Sequence, residues 1–383
     1  MPREREGENK LKKCCIIFIL LLLCTGCWDL KEINQLAIVN VVGTDKDPET
    51  GTYTGYYQVV NPTGISNRQG GASQASVYTF HFKEYSFGRF TVRTSTAMPR
   101  LLFTAHMQCY IISERYARDG VLDLINFLEL NPERRTNLLF LVSDSPLSTV
   151  MHTFTPLERS PGRFVRSLLD LHVRSAQTQV APIRLKDLIE GLPLNQPTVI
   201  PIVHYNGQQP ASNTKEVEEI DAIKNGLSFT DGAVFIHGRM AGRIEMKMKQ
   251  VFAILRNDLK AFAETMKVNG AYVDVGASNA RIKREWDRSA SRLTLKIYAD
   301  LRITNNQQKS RMTVHNLHDV EKAFNRRLTQ RAESLIQLGL KKDWDFLGIQ
   351  DERHDIDSWR QVKITFQVSS KVTTTGNTST PYN

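Results

Sequence analysis

"LTLKIYADLRI", residues 293–303, decides the fold class. Leu293, Leu295, Ile297, Ala299, Leu301 and Ile303 alternate there with Thr294, Lys296, Tyr298, Asp300 and Arg302. A period of two puts the apolar side chains on one face of a strand, and at about 3.4 Å per residue that strand is about 37 Å long. Val362, Ile364, Phe366 and Val368 repeat the pattern. Between the two, Val320, Phe324, Leu328, Ala332, Leu335 and Ile336 predict a helix of about six turns with one apolar side. Strands wet on one face belong to antiparallel or mixed sheets, and a helix must cover the other face. The expectation is an α+β protein of several domains, with antiparallel or mixed sheets each packed with helices.

Upstream, residues 233–236 and 240–244 flank His237-Gly238 and read as a hairpin. The stretch "NGQQPASNTKEVEEIDAIKN", from residue 206, is polar and carries Pro210, so 206–226 reads as a linker. It separates an N-terminal α+β region, 27–205, from a C-terminal α+β domain, 227–372, with a disordered tail at 373–383. Residues 64–76, rich in Gly, Ser and Gln, read as a surface loop. Between Ser113 and Leu130, Val121, Leu122, Ile125 and Leu128 share a helical face, and Asn131-Pro132 ends the helix. Residues 138–142 form an apolar run of strand length. Ser160 as N-cap and Pro161 at the first position open a second helix, lined by Phe164, Val165, Leu168, Leu169, Leu171 and Ala176.

With 383 residues, 41% hydrophobic and 23% charged, the chain has the make-up of a folded protein. Its net charge is +10, of which the first 26 residues contribute +2. Those residues read as a leader: Lys10, Lys12 and Lys13 precede ten uncharged residues, Cys14 to Leu23, and then Thr25-Gly26 before Cys27. Ten residues rise only about 15 Å as a helix, half the hydrocarbon thickness of a bilayer, so the run is a signal core and not a span. Small residues before a Cys match the bacterial lipoprotein pattern, with Cys24 standing where Leu is usual. The thiol of Cys27 would take diacylglycerol and the chain would be cut before it. With at least two fatty chains, palmitate among them, at about 0.8 kcal/mol per methylene, attachment is stable. Cys14, Cys15 and Cys24 leave with the leader, so Cys27 and Cys109 remain of five, and a disulfide framework is excluded.

From Cys27 the chain also resembles a known family. "GCWDLKEINQLAIVNVVGTD", starting at Gly26, resembles the mature start of the Ger(x)C spore-germination lipoproteins, the C subunits of nutrient germinant receptors. "GVLDLINFLELNPERRTNLLFLVSD" (120–144), "PLERSPGRFVRSLL" (156–169), "GLPLNQPTVIPIV" (191–203), "GAVFIHGRMAGRIE" (232–245) and "DFLGI" (345–349) are similar to family segments, in the family's order. The resemblance implies two subdomains within 27–205. It also implies a non-enzymatic subunit at the outer face of the spore inner membrane, assembled with A-type and B-type membrane subunits and needed for the response to nutrients.

Motifs for chemistry are missing: there is no G-x-G-x-x-G, Walker loop, G-x-S-x-G or H-E-x-x-H. No catalytic, cofactor or metal residue is therefore assigned, and lipid attachment at Cys27 is the one site. His315 and His318, three apart, lack a third ligand and read as surface residues. Asp187 and Glu190 share a helical face and read as solvated. "DERHDID" (351–357) reads as a polar loop and Cys109 as a buried small hydrophobe. Basic pairs such as Arg134-Arg135, Arg326-Arg327 and Lys341-Lys342 lie apart, which argues against nucleic acid as a partner. The nine residues from Cys27 to Leu36 reach at most about 32 Å, so the body would work near lipid headgroups. The alternative reading is a solute-binding lipoprotein of a transporter. It calls for strand-helix-strand lobes, whereas the alternating strands here suggest antiparallel sheets. An envelope hydrolase lacks its catalytic constellation.

Overall fold

The computed structural model describes residues 32–61, 76–130, 135–155, 158, 161–174, 182–208, 210, 221, 223–287, 289, 291–308, 313–354 and 356–374. The leader 1–26, Cys27, Asn131-Pro132, Ser160, Ala176, nearly all of the loop at 64–76, most of the linker and the tail from 375 lie outside them.

Chain direction in the first sheet follows from which strands are apolar throughout. β5 (Cys109–Ser113) and β6 (Leu139–Ser143) are buried at every position. A strand buried on both faces needs helices on both sides, as at the centre of a parallel sheet. β1 (Leu36–Lys46), β5, β6 and β7 (Thr198–Tyr205) do form that parallel centre. β2 (Tyr53–Val60) and β3 (Val77–Glu84) extend it antiparallel on one side, and β8 (Leu227–Ile236) and β9 (Arg239–Glu245) on the other. The short β4 (Leu101–Phe103) lies parallel to the start of β1, making a mixed nine-stranded sheet in the order β3-β2-β1-β5-β6-β7-β8-β9. Antiparallel order, the ground on which the sequence disfavoured solute-binding lobes, is thus confined to the flanks of this sheet.

One face buries Phe90 of α1 (Phe87–Ala97), Tyr116 of α2 (Glu114–Asp119), Ile125 of α3 (Leu122–Glu129) and Leu188 of α6 (Leu185–Gly191) against Tyr110 and Ile112. The opposite face takes Cys109 and Ile111, with Met151 of α4 (Leu147–His152) and Leu169 of α5 (Pro161–Arg174). Consecutive residues of β5 thus point into two different cores.

The single helix expected from Ser113 to Leu130 is two. Gly120, at φ +113, ends α2 in a conformation open mainly to glycine, and the Val121 N–H leaves the helix to donate to the Gly238 carbonyl at 2.9 Å. The buried stripe of α3 is accordingly Leu124, Ile125 and Leu128, while Leu122 is 50% exposed. The hairpin at His237-Gly238 forms as expected. Both residues have positive φ (48° and 77°), the geometry of a tight primed turn matching strand twist.

The second sheet has four strands, β10 (Phe262–Val268), β11 (Ala271–Asp287), β12 (Arg292–Asn306) and β13 (Lys363–Thr374). The first two pairings are antiparallel and β12–β13 is parallel. The parallel step requires a crossover, supplied by α8 (Val314–Lys342), 29 residues and about 43 Å long. All six apolar residues expected to line it are buried. Thr313 caps its start by accepting from Asn316 N–H, Asp343 ends it in the left-handed conformation, and Arg331 forms a two-pronged bond to Glu264 of β10 at 2.6 and 2.9 Å.

The boundary between sheets lies further along the chain than the linker at 206–226. β7 and β8, on either side of that segment, pair antiparallel, because the hairpin 227–245 finds its hydrogen bonds on the open edge of β7. The first sheet therefore runs from residue 36 to 245. The second sheet begins at Phe262, after α7 (Met246–Leu255). From Lys249 to Leu255 every residue of α7 is buried, and one apolar cluster runs from Val199, Val234 and Ile244 through this helix to Phe324 of α8.

Candidate functional site

The two sheets meet at a seam, and three of the six segments that carry the family resemblance converge on it. From residues 191–203 come Asn195 and Gln196, ahead of β7. Their backbone N–H groups, with the Asn195 side-chain amide, donate to the carboxylate of Asp351 at 2.8–2.9 Å. Gln196 Nε2 donates to the Phe346 carbonyl at 2.9 Å, and Arg256 Nη1 donates to Gln196 Oε1 at 3.3 Å. From residues 232–245 comes Gly242, on which the Trp344 indole lies so closely that a Cβ would stand 2.7 Å from it. From residues 345–349 comes Asp345, 2% exposed, whose carboxylate accepts the Gln350 N–H at 2.7 Å. Burial raises the Asp345 pKa, and the N–H groups around its carboxylate oppose the rise. The stretch 351–357, read as a polar loop, thus begins with the carboxylate that clasps the two units.

Beside this clasp lies a cleft of about 410 Å³ with three arginines and three aspartates on its wall: Arg166, Arg184, Arg256, Asp170, Asp187 and Asp258. They satisfy one another: Arg166 bonds Asp170 at 3.1 Å, and Arg256 bonds Asp258 at 3.0 Å. Asp187 accepts the backbone N–H of Arg184 at 2.8 Å and closes the first turn of α6, so it is a capping residue and not half of a carboxylate pair with Glu190. Behind the cleft sits Lys249 of α7, only 1% exposed, with its stem packed over Gly232 of β8. Burial pushes its ammonium down to about 7, against the pull of the Asp258 charge. Burial likewise raises Asp258, against Arg256. The sequence reading missed Lys249, which stands in the polar approach "KMKQ" (247–250) just before the apolar run "VFAIL" (251–255) and so reads as a solvated residue.

At the carboxyl ends of the parallel strands lies a second polar cluster. Arg243 of β9 bonds Glu114 at the start of α2 and reaches Asp144 at 3.3 Å and Asp231 at 3.9 Å. Burial would raise Glu114, but Arg243 and Arg118 outweigh it and its pKa falls. Burial raises Asp231 against Arg243. His204 Nδ1 lies 2.8 Å from Asp144 and 3.3 Å from Ser145 Oγ. A Ser-His-Asp relay uses both ring nitrogens, one for each partner. Here the carboxylate and the hydroxyl share one nitrogen, and Ser145 Oγ also accepts the Tyr205 N–H at 2.9 Å, so the three act as a strand-end lock.

Cys27, the expected lipid site, lies outside the described residues. His315 points to solvent and reaches Asp319 at 3.7 Å, and among the described residues no group of three metal-binding side chains comes together. Cys109 is fully buried, which pushes its thiol up to about 12. No described helix is long and apolar enough to cross a membrane.

Comparison with known proteins agrees with this architecture. Residues 29–205 match the spore germination protein N-terminal domain, and residues 230–376 match the spore germination B3/GerAC-like C-terminal domain. A Bacillus subtilis (strain 168) protein named for spore germination, YfkR, is 23% identical over 351 residues, covering 90% of this chain and 88% of its own. Spore germination protein KC of the same organism is 25% identical over 201 residues, 50% of this chain and 48% of its own. The crystal structure of the GerBC protein superposes with a TM-score of 0.52 at 12% identity, covering 87% of this chain and 96% of that one, which shows a shared fold. With both domain models matched in order across the two sheets, this chain belongs to the Ger(x)C, GerAC-like family of spore germination proteins.

Proposed function

We propose that the chain is a lipid-anchored, non-enzymatic subunit of a spore nutrient germinant receptor. A diacylglyceryl group on Cys27 holds it at the outer face of the spore inner membrane, where it assembles with A-type and B-type membrane subunits. The observation that carries this reading is the pair of family domains, matched in order over 29–205 and 230–376. Support also comes from the polar groups described above, whose bonds are spent on holding elements together. Asp351, Asp187, Asp144 and Arg243 each satisfy backbone or charged partners. The mechanism is binding and coupling, with no bond made or broken: the hydrogen-bonded, apolar seam lets a load on one unit be felt by the other.

The test is Cys27→Ala. The variant should leave the membrane fraction and blunt the germination response, and membrane retention with normal germination would sink the reading. A thiol count on the denatured mature protein gives a second readout. Acylated Cys27 leaves one titratable thiol, Cys109, and a free Cys27 leaves two.

A further inference from the structure

The start of β1 is the point nearest the proposed anchor. The five steps from Cys27 to Glu32 span at most about 18 Å, and the four from Glu32 through the 3-10 turn Ile33–Gln35 to Leu36 add about 11 Å, so the Cα of Leu36 lies within about 29 Å of that of Cys27. Exposed apolar side chains gather around Leu36. Leu101 of β4, its partner in the pairing, is 57% exposed, Ile33 is 76% exposed and Tyr78 of β3 is 52% exposed. Two apolar grooves flank this corner. One, of about 290 Å³, runs beside Leu36, Phe87 and Leu102, and the other, of about 440 Å³, runs beside Ala37, Val59 and Met98. Arg100 stands between them and borders both.

Charge points the same way. From Tyr85 to Gln108 the chain carries Arg89, Arg93 and Arg100 and no acidic residue. Arg89 and Arg93 lean on Glu84, at 2.9 and 4.0 Å, while Arg100 is exposed and has no ion pair among the described residues. Exposed apolar side chains beside the unpaired Arg100 suit the boundary between acyl chains and anionic headgroups, where the one set is buried and the other meets phosphate.

We infer that the corner formed by Ile33, Tyr78, Arg100 and Leu101 rests in the headgroup layer of the anionic bilayer, and so fixes which side of the body faces the membrane. This rests on lipid attachment at Cys27. The tether alone would let the body tumble within its reach; the corner gives it one orientation, with the second sheet, beyond β8 and β9, turned away.

The experiment uses the full chain purified from membranes of a host that acylates it, in vesicles of phosphatidylcholine and phosphatidylglycerol. A fluorophore is placed through Leu101→Cys or, as reference, through Tyr272→Cys on the second sheet. Lipid-borne quenchers at headgroup depth should quench the label at 101 several-fold more than the label at 272, and Arg100→Glu should reduce that difference. Equal quenching at both sites in protein that floats with the vesicles overturns the orientation while leaving the anchor standing. A label at 101 that is shielded from water yet unquenched by lipid shows a protein partner on the corner and also overturns it. Protein that fails to float removes the anchor and this inference together.

Discussion

Lys249 offers the sharpest test of the seam, because it is a buried lysine on the helix that joins the two sheets. In the unfolded chain it titrates near 10.5 and in the fold near 7. The unfolded state therefore binds more protons between these values, and stability must rise with pH across that window. At about 1.4 kcal/mol per pKa unit, the cost of burying the charge approaches about 5 kcal/mol below pH 7 and disappears towards pH 10. Lys249→Met keeps the length of the stem and removes the titration. Urea unfolding of the chain lacking residues 1–26, with Cys27→Ala in both proteins, should show the Met variant more stable by several kcal/mol at about pH 6 and the two converging by about pH 10. Other groups titrating in this range are common to both proteins and cancel in the difference. Parallel pH profiles for the two proteins would refute the reasoning, since they would mean that Lys249 keeps an ordinary pKa in the fold.

Asp351→Ala removes three hydrogen bonds to Asn195 and Gln196, which should cost about 2–4 kcal/mol and open the 192–197 segment to limited proteolysis; unchanged cleavage would deny that Asp351 is the clasp. Gly242→Ala should push the Trp344 indole off β9, at a cost of about 1–3 kcal/mol with a shift in tryptophan fluorescence; an unshifted spectrum would contradict the close packing. The thiol of Cys109, fully buried and raised to about 12, should resist thiol reagents near neutral pH until the chain unfolds; rapid labelling of folded protein would contradict its burial. Phe324→Ala, in the core beneath α8, should destabilise by about 3–5 kcal/mol in thermal or urea unfolding, and a change below about 1 kcal/mol would mean that the long helix does not carry that core.

Much was legible in the sequence where burial is one-sided. The period of two in β12 and the period near 3.6 in α8 are direct imprints of a strand and a helix with one wet face, and the hairpin at His237-Gly238 is written in its turn residues. The α+β class, mixed pairing and family membership followed from those local signals and from the order of short segments. β10 and β11 escaped, because β11 is diluted by Gly276, Ser278 and Asn279. Asn279, at φ 51, sits in a bulge that shifts the alternation by a residue, and the neighbouring Ala280 N–H pairs with Lys260 instead.

What only the tertiary structure decided is how distant segments add up. Continuous apolar runs such as β5 and β6 carry no periodicity, so chain direction and the helices on both faces are settled by pairing. The polar segment at 206–226 looked like a divide because composition reports exposure and not partners, yet the strands flanking it share one sheet. The seam arises where residues about 150 positions apart are brought together: Asn195 and Gln196 to Asp351, with Lys249 enclosed nearby. Local sequence sets each residue's secondary structure and which of its faces is apolar. Whether a charge there is solvated, paired or buried depends on long-range packing, and that is fixed by the fold.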